Sequence, residues 1–266
     1  MSHLERLRAA RAFILDMDGT LYVDEQPLPG AQKLLGELAA RGIPHLFLTN
    51  NSSRRASEYQ ARLERMQIPA KREQVLTSGD ATISHLLEET PYRSAYLLGT
   101  PALEEEFRQA GIALDRPDPE CVVVGFDQTL TYAKLRHACR LLFAGKPFYA
   151  THPDKTCITK DGLIPDIAAI TAALETVTGR QPKIVGKPYP EIAREALRKL
   201  GAVPAGTVFI GDQLDTDMQM AKASDLLGIL VLSGETKRAA VDALLPDQRP
   251  PLVAENVAEV VRWLGW

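Results

Sequence analysis

The sequence has few cysteines, no excess of one charge and no catalytic zinc motif. Its three cysteines, Cys121, Cys139 and Cys157, form no CxxC pair, so we expect neither a disulfide framework nor a structural zinc site. No HExxH pattern marks a catalytic zinc site. Lys and Arg total 31 against 34 Asp and Glu, which gives a formal net charge of −3. This near balance gives no indication of the basic face that nucleic acid binding requires.

Long apolar runs are also missing. No stretch reaches the roughly 18 apolar residues of a membrane-spanning helix. The basic N-terminal segment is followed by a short apolar stretch that Asp16 and Asp18 interrupt, and this is typical of neither a signal peptide nor an anchor. With 45% hydrophobic and 24% charged residues, the composition is that of a globular protein. We expect a cytoplasmic protein with no membrane and no nucleic acid partner.

Short apolar runs alternate with amphipathic stretches along the 266 residues, a length that predicts roughly two domains. Predicted strands cover residues 12–15, 45–48, 208–210 and 227–232. Predicted helices cover residues 30–41, 53–66, 190–200, 214–223 and 256–264. This alternation predicts βαβ units and an α/β fold with a doubly wound, mostly parallel sheet. The apolar strands indicate a sheet that is covered on both faces.

The middle of the chain predicts a second α/β unit. Its predicted strands cover residues 95–98, 122–124 and 148–150, and its predicted helices cover residues 101–110, 132–144 and 166–178. The polar segments at 78–80 and 178–182 contain glycine and predict linkers. The second unit is therefore expected between about residues 80 and 181.

Four polar clusters directly follow predicted strands. They are residues 16–20 (DMDGT), 49–52 (TNNS), 186–188 (GKP) and 211–217 (GDQLDTD). The third follows a short strand predicted at 183–185. Ligands of an open parallel α/β sheet bind at the carboxyl ends of its strands. We therefore expect all four clusters to meet at one edge of the sheet.

Carboxylates dominate the first and last clusters, with Asp16 and Asp18 in one and Asp212 and Asp217 in the other. Carboxylates gathered in one place need a cation, or their pKa values rise. A donor set of oxygens without His or Cys favours a hard ion such as Mg²⁺. Such an ion keeps coordination positions for water and for a phosphate oxygen.

Donors to a phosphate are present in the other two clusters. Thr49, the amides of residues 49–51 and Lys187 could bind its oxygens. Together, the four clusters predict a phosphoryl-transfer site. Of two carboxylates two residues apart, one can attack phosphorus to form an aspartyl-phosphate, while the other protonates the leaving alkoxide and activates water.

Each cluster also has a purely structural explanation. DMDGT could be a turn, TNNS an N-cap, and GKP an exposed loop. GDQLDTD could cap a helix, and it lacks the spacing of an EF-hand calcium loop. The occurrence of all four in this order, each after a strand, favours the chemical interpretation.

The motifs Asp16-x-Asp18-Gly19-Thr20, Thr49-Asn50, Lys187 and Gly211-Asp212-x₄-Asp217 resemble those of the haloacid dehalogenase (HAD) superfamily of phosphatases. Residues 21–30 resemble the small flap hairpin of that family. A large unit between the Thr49 motif and Lys187 resembles the α/β cap of the NagD-like, para-nitrophenyl phosphatase branch. The resemblance implies a Rossmann-like HAD core of residues 1–79 and 182–266, with a cap of residues 80–181 inserted into it.

The resemblance implies a role for each acidic motif residue. Asp16 would be the nucleophile and a Mg²⁺ ligand. Asp18 would be the general acid/base, with its backbone carbonyl on the metal. Asp212 would be the third protein ligand of the metal. Asp217 would orient Lys187 or a metal-bound water.

The resemblance also implies the phosphate-binding set. Lys187 would neutralise both the phosphoryl group and the nucleophile. Thr49, with the amides of Asn50 and Asn51, would bind the transferring phosphoryl group.

The cap of the NagD-like branch is similar to residues 151–154 (THPD), Asp161-Gly162 and Pro165-Asp166. Many members have Asn-Pro-Asp where this chain has His152-Pro153-Asp154, and Pro-Gly-x-Gly where it has residues 165–168. We expect His152, Asp154 and Asp166 to influence substrate choice. The Asp166 carboxylate either binds an amine or sugar hydroxyl or caps the helix that follows it.

The resemblance thus implies a Mg²⁺-dependent phosphatase that hydrolyses a small phosphate monoester, such as a nucleotide or a sugar phosphate, through an aspartyl-phosphate. A phosphotransferase or phosphomutase would use the same aspartates with an acceptor other than water. A non-enzymatic ligand-binding module is a further alternative, which the intact Asp16 and Lys187 argue against. Dehalogenases usually lack the second aspartate, so Asp18 argues against carbon–halogen hydrolysis. The branch also suggests a homodimer.

Overall fold

The computed structural model describes residues 1–159 and 162–266, and these form two compact units. The first unit is built from three segments of the chain, Met1–Thr49, Ala56–Leu76 and Lys187–Trp266. The second is built from two, Asn50–Arg55 and Thr77–Gly186. Asp161, one of the residues that resemble the cap, lies outside the described residues.

A six-stranded sheet forms the centre of the first unit. In sheet order its strands are Leu252–Ala254, Leu227–Val231, Thr207–Gly211, Ala12–Asp16, His45–Thr49 and Val75–Thr77. The strands from Leu252–Ala254 to His45–Thr49 pair in parallel. The prediction of an α/β fold with a mostly parallel sheet is therefore confirmed. The two strands that the sequence pattern misses, at the two edges, have three residues each, too few for a clear apolar run.

Seven α-helices of the first unit are His3–Arg8, Ala31–Ala40, Ala56–Arg65, Pro190–Leu200, Gln219–Ala223, Arg238–Asp242 and Val257–Leu264. The core joins buried strand residues such as Phe13 and Ile210 to the apolar stripes of these helices, including Leu34, Leu38 and Val260. Helical spacing thus selects the residues that are buried.

One predicted helix, 214–223, differs in its first half. Leu214–Met218 is a π-helical turn, and the α-helix Gln219–Ala223 follows it. Single π-helical turns are rare and often occur at functional sites.

The second unit has its own parallel sheet. In sheet order its strands are Lys183–Ile184, Phe148–Ala150, Cys121–Val124 and Ala95–Leu98. Its helices are Ser78–Glu89, Pro101–Gln109, Tyr132–Phe143 and Ile167–Thr178. An antiparallel hairpin of Thr156–Thr159 and Gly162–Pro165 precedes the last of these helices. The predicted second α/β unit is present, with a hairpin that the sequence pattern did not reveal.

The prediction of a linker at 78–80 is wrong. Ser78 begins a helix, because the Thr77 side chain accepts a hydrogen bond from Asp80 N at 3.0 Å and the Asp80 carboxylate accepts one from Thr77 N at 3.1 Å. This reciprocal pair is a capping box, which starts a helix in a segment whose composition otherwise favours a turn.

Within the described residues, none of Cys121, Cys139 and Cys157 forms a disulfide. Within the described ranges, no helix combines the length and the apolar character needed to cross a bilayer.

Candidate active site

Three predicted site residues lie at the carboxyl ends of three adjacent parallel strands of the first unit. Asp16 is the last residue of its strand and pairs in register with Leu48, so Thr49 lies one residue further along the neighbouring strand. On the other side Leu15 pairs with Ile210. Asp212 follows directly after that strand ends at Gly211. The sheet therefore brings two of the predicted clusters together and places Thr49 beside them.

Lys187 reaches the same place by a route that the sequence did not predict. The short strand before it, Lys183–Ile184, pairs with Phe148–Ala150 in the sheet of the second unit. The expectation that the GKP cluster follows a strand of the first sheet is therefore wrong. A two-residue strand cannot be assigned to one sheet or another by its pattern. Lys187 instead lies shortly before the helix Pro190–Leu200.

The Lys187 ammonium bridges two carboxylates. It donates to Asp16 Oδ1 at 2.5 Å and to Asp217 Oδ1 at 2.7 Å. All three side chains are buried. Burial disfavours the ammonium, but the charges of Asp16 and Asp217 outweigh it and raise the pKa of Lys187 well above its usual range. The lysine is therefore a fixed positive charge beside Asp16.

The carboxylates of Asp16, Asp212 and Asp217 form one group, with one oxygen from each within 4.8 Å of the others. The Thr20 hydroxyl lies between two of them, 3.2 Å from Asp16 Oδ2 and 3.4 Å from Asp212 Oδ1. Burial, together with the neighbouring carboxylates, raises the pKa of Asp16 well above its usual range. Burial and Asp217 likewise raise the pKa of Asp212 to about 7. One lysine thus compensates only part of the charge, and the all-oxygen donor set suits a hard divalent cation.

Asp217 is held by protein donors on both of its oxygens. Oδ1 accepts from Lys187, while Oδ2 accepts from the backbone N–H groups of Asp212 at 2.9 Å and Gln213 at 3.1 Å. The π-helical turn Leu214–Met218 brings its side chain back onto the start of its own loop. Asp217 therefore fixes both the lysine and the loop that carries Asp212.

Gly19, Gly234 and the backbone amide of Glu235 complete the surroundings of Asp212, and of these the predicted motifs include only Gly19. Glu235 N donates to Asp212 Oδ2 at 2.6 Å. A Cβ at Gly234 would overlap the Asp212 carboxylate, and one at Gly19, whose φ is +84°, would come within 2.6 Å of Asp212 Oδ2. Gly234 and Glu235 follow the strand Leu227–Val231, so the rule of strand carboxyl ends would have found them.

Asp18 has different neighbours from Asp16. Its carboxylate accepts from Arg62 Nη1 at 3.3 Å and from the Tyr22 hydroxyl at 3.2 Å. Tyr22 belongs to a small antiparallel hairpin, Tyr22–Val23 with Gln26–Pro27, so the predicted hairpin after the first motif is present. The Asp18 side chain is 55% exposed and does not belong to the buried carboxylate group around Asp16.

Asn50 and Asn51 belong to the second unit and are engaged by its side chains. Asn50 Nδ2 donates to Asp154 Oδ1 at 3.0 Å. Asn51 Oδ1 accepts from Ser53 N at 2.9 Å, the local turn that Asn side chains favour. Both side chains thus shape the loop that follows Thr49.

The three predicted cap residues form a cluster within the second unit. His152 Nδ1 lies 3.2 Å from Asp154 Oδ2, and His152 Nε2 lies 3.7 Å from Asp166 Oδ1. Asp166 Oδ1 also accepts from Ile167 N at 2.6 Å, so Asp166 caps the helix Ile167–Thr178, one of the two roles that the sequence left open. Burial raises the pKa of Asp166 to about 6, although His152 and the Ile167 N–H oppose the shift.

Comparisons with known proteins identify the family of the chain. Residues 13–113 match the model of the haloacid dehalogenase-like hydrolase family, and residues 184–260 match a second model of HAD-like hydrolases. The acid sugar phosphatase of Staphylococcus aureus (strain USA300) is 35% identical over 213 residues, which cover 80% of this chain and 82% of that protein.

Two further similarities span nearly the whole chain. The 5'-nucleotidase YutF of Bacillus subtilis (strain 168) is 32% identical over 260 residues, 98% of this chain and 100% of that protein. The structure of NagD from E. coli K-12 superposes with a TM-score of 0.88 at 32% identity, covering 94% of this chain and 98% of NagD. The chain is thus a member of the haloacid dehalogenase-like hydrolases, a phosphoric monoester hydrolase of the NagD-like branch, as its motifs predict.

Proposed function

We propose that the protein is a Mg²⁺-dependent phosphatase that hydrolyses a small-metabolite phosphate monoester through an aspartyl-phosphate on Asp16. The observation that carries this proposal is the buried Asp16 carboxylate at a strand end, held by Lys187 at 2.5 Å and grouped with Asp212. A carboxylate fixed in this way can attack phosphorus, and the adjacent ammonium offsets the charge of the phosphoryl oxygens.

The first step forms a bond between an Asp16 oxygen and phosphorus, while the bond from phosphorus to the leaving oxygen breaks. Asp18, as general acid, gives its proton to that oxygen. In the second step a water attacks the aspartyl-phosphate, Asp18 takes the proton of that water, and Asp16 returns to its carboxylate form with release of inorganic phosphate. Asp18 thus alternates between acid and base.

The residues present fit a magnesium site. Asp16, Asp212 and the backbone carbonyl of Asp18 would hold the ion, since the carboxylates of Asp16 and Asp212 are buried together and Asp217 already accepts three hydrogen bonds from N–H donors. When bound, Mg²⁺ polarises the phosphoryl oxygens and offsets their charge. Thr49 and the amides of Asn50 and Asn51 would bind the same oxygens.

We further propose that residues 80–181 act as a cap that selects the group carrying the phosphate. The two relatives named above are an acid sugar phosphatase and a 5'-nucleotidase, so members of this branch differ in substrate. His152, Asp154 and Asp166 are the proposed specificity residues of this cap. The cytoplasmic location, the homodimer and the lack of nucleic acid or membrane partners stay predictions.

The proposed function is tested by phosphate release from p-nitrophenyl phosphate. Wild-type protein should require added Mg²⁺, and EDTA should abolish release. Asp16→Asn should be inactive, while Asp215→Asn, which removes an exposed carboxylate from the Asp212 loop, should retain activity. Absence of Mg²⁺-dependent release from this ester and from a broad panel of sugar and nucleoside monophosphates would contradict the proposal.

A further inference from the structure

The carboxylate of Asp18 is held from two directions. Arg62 Nη1 lies 3.3 Å from Asp18 Oδ1, and the Tyr22 hydroxyl donates to Asp18 Oδ2 at 3.2 Å. Tyr22 is fully buried, and its backbone forms a bridge to Asp18. Each oxygen of a half-exposed carboxylate therefore has a donor of its own, which restricts a side chain that would otherwise rotate freely in solvent.

Arg62 also fixes the hairpin that carries Tyr22. Its guanidinium lies over the Tyr22 ring at 4.6 Å, and its Nη2 donates to the backbone carbonyl of Asp24 at 2.5 Å. Only 16% of the Arg62 side chain is exposed, so these contacts are better shielded from water than those of a surface ion pair. One side chain from the helix Ala56–Arg65 thus ties together Asp18, the ring below it and the hairpin turn.

We propose that Arg62 and Tyr22, here called the Asp18 clamp, position the Asp18 carboxyl group for proton transfer to the leaving group. The inference rests on the proposed function, because it gives Asp18 the role of general acid. Arg62 and Tyr22 are positioning residues: they act through Asp18 and not on the substrate.

The dependence of the rate on the leaving group distinguishes a positioning role from a merely structural one. A structural defect would slow all phosphate esters equally. A p-nitrophenolate leaves readily without a proton, whereas the more basic phenolate needs one as its bond to phosphorus breaks. Displacing the general acid therefore slows phenyl phosphate more than p-nitrophenyl phosphate. The value of kcat/KM covers the steps up to phosphorylation of Asp16, so hydrolysis of the aspartyl-phosphate does not enter the comparison.

The experiment measures kcat/KM for both esters in wild type, Arg62→Ala, Arg62→Lys, Tyr22→Phe and Arg65→Ala. In Arg62→Ala the loss with phenyl phosphate should exceed the loss with p-nitrophenyl phosphate by about 10-fold or more, within the usual range of acid–base contributions. In Arg62→Lys the difference between the two losses should be smaller than in Arg62→Ala. Lysine keeps the positive charge but has only one nitrogen for the contacts with Asp18 and the Asp24 carbonyl. Tyr22→Phe, which keeps the ring and loses only the hydroxyl, should show a smaller difference of the same sign.

Arg65→Ala is the matched control. Arg65 lies on the same helix and contacts the same hairpin through Glu25 at 3.2 Å, so its loss weakens the hairpin contact but leaves both Asp18 contacts in place. Its ratio of the two kcat/KM values should equal that of wild type. The ratio is measured on one sample, so a partly unfolded variant does not distort it.

Equal losses with the two esters in Arg62→Ala, or no loss with either, would overturn the assignment of the Asp18 clamp. A wild-type protein that releases phosphate from neither ester would instead overturn the proposed function, so the two failures are distinguishable.

Discussion

Lys187 Nζ lies 2.5 Å from Asp16 Oδ1, and the two residues come from distant parts of the chain to form this buried pair. The same ammonium is 2.7 Å from Asp217. Removing a buried cation that two carboxylates share strongly destabilises the folded protein, because two uncompensated charges stay behind. The pair therefore links the stability of the first unit to its proposed chemistry.

Replacement of Lys187 tests this link. Lys187→Met keeps most of the apolar stem but removes the charge, and it should lower the free energy of unfolding by about 3–5 kcal/mol as well as abolish phosphatase activity. The double variant Lys187→Met/Asp217→Asn should be less destabilised than the sum of the two single variants, since it removes one of the stranded carboxylates.

Urea denaturation in the presence of EDTA measures the free energies of unfolding of the single and double variants without a contribution from bound metal. Lys199→Met is the control, because Lys199 is exposed near the end of the helix Pro190–Leu200 and should change stability by no more than about 0.5 kcal/mol. A Lys187→Met protein as stable as this control would contradict the account of the buried pair.

Gly234 should be required for the proposed metal site. A Cβ at this position would overlap Asp212, so Gly234→Ala should displace the Asp212 carboxylate and raise the Mg²⁺ concentration for half-maximal activity by about 10-fold or more, as expected when a ligand loses its orientation. The matched control is Gly36→Ala, where no atom lies within 4 Å of the added Cβ. That change should leave the Mg²⁺ dependence unchanged and stabilise the helix Ala31–Ala40 by up to about 1 kcal/mol. An unchanged Mg²⁺ requirement in Gly234→Ala would contradict the placement of the ion beside Asp212.

Asp166 should make stability depend on pH in a defined window. Burial raises its pKa from 3.8 to about 6, so between these values the folded protein binds a proton that the unfolded chain has released. The contribution of Asp166 to stability is therefore complete below pH 3.8 and is lost as pH rises through about 6. The shift corresponds to at most about 3 kcal/mol.

The difference in unfolding free energy between wild type and Asp166→Asn isolates this contribution, because the other carboxylates titrate in both proteins. Wild type should lose stability relative to Asp166→Asn as pH rises from 4 to about 6.5. A difference that stays constant, or that changes in wild type's favour, would show that Asp166 is not the buried group described above.

The sequence predicts most of the fold because the decisive signals are local. The strand Ala12–Asp16 is an apolar run, the helix Ala31–Ala40 has a regular stripe, and Gly211 and Asp212 mark a strand end. The start of the helix at Ser78 is also local, but its capping box lies in a segment whose Ser-Gly-Asp composition favours a turn.

The remaining features depend on contacts between distant residues. The sheet that accepts Lys183–Ile184 is decided by its partner Phe148–Ala150 and not by its own two residues. Likewise, nothing in the spacing of Arg62 distinguishes it from Arg65, the exposed arginine of the same helix. Its role depends on the return of the hairpin Tyr22–Pro27 to that helix face.

The central claim is that Asp16 carries the phosphoryl group. The most direct measurement is acid quenching of the enzyme during turnover of p-nitrophenyl phosphate labelled in its phosphate, in wild type, Asp16→Asn and Asp18→Asn. We predict a hydroxylamine-labile label on the peptide that contains Asp16, with more label in Asp18→Asn, where the base for the second step is missing, and none in Asp16→Asn. Phosphate release by wild type with no labelled protein in wild type or Asp18→Asn, or label that persists in Asp16→Asn, would contradict the account.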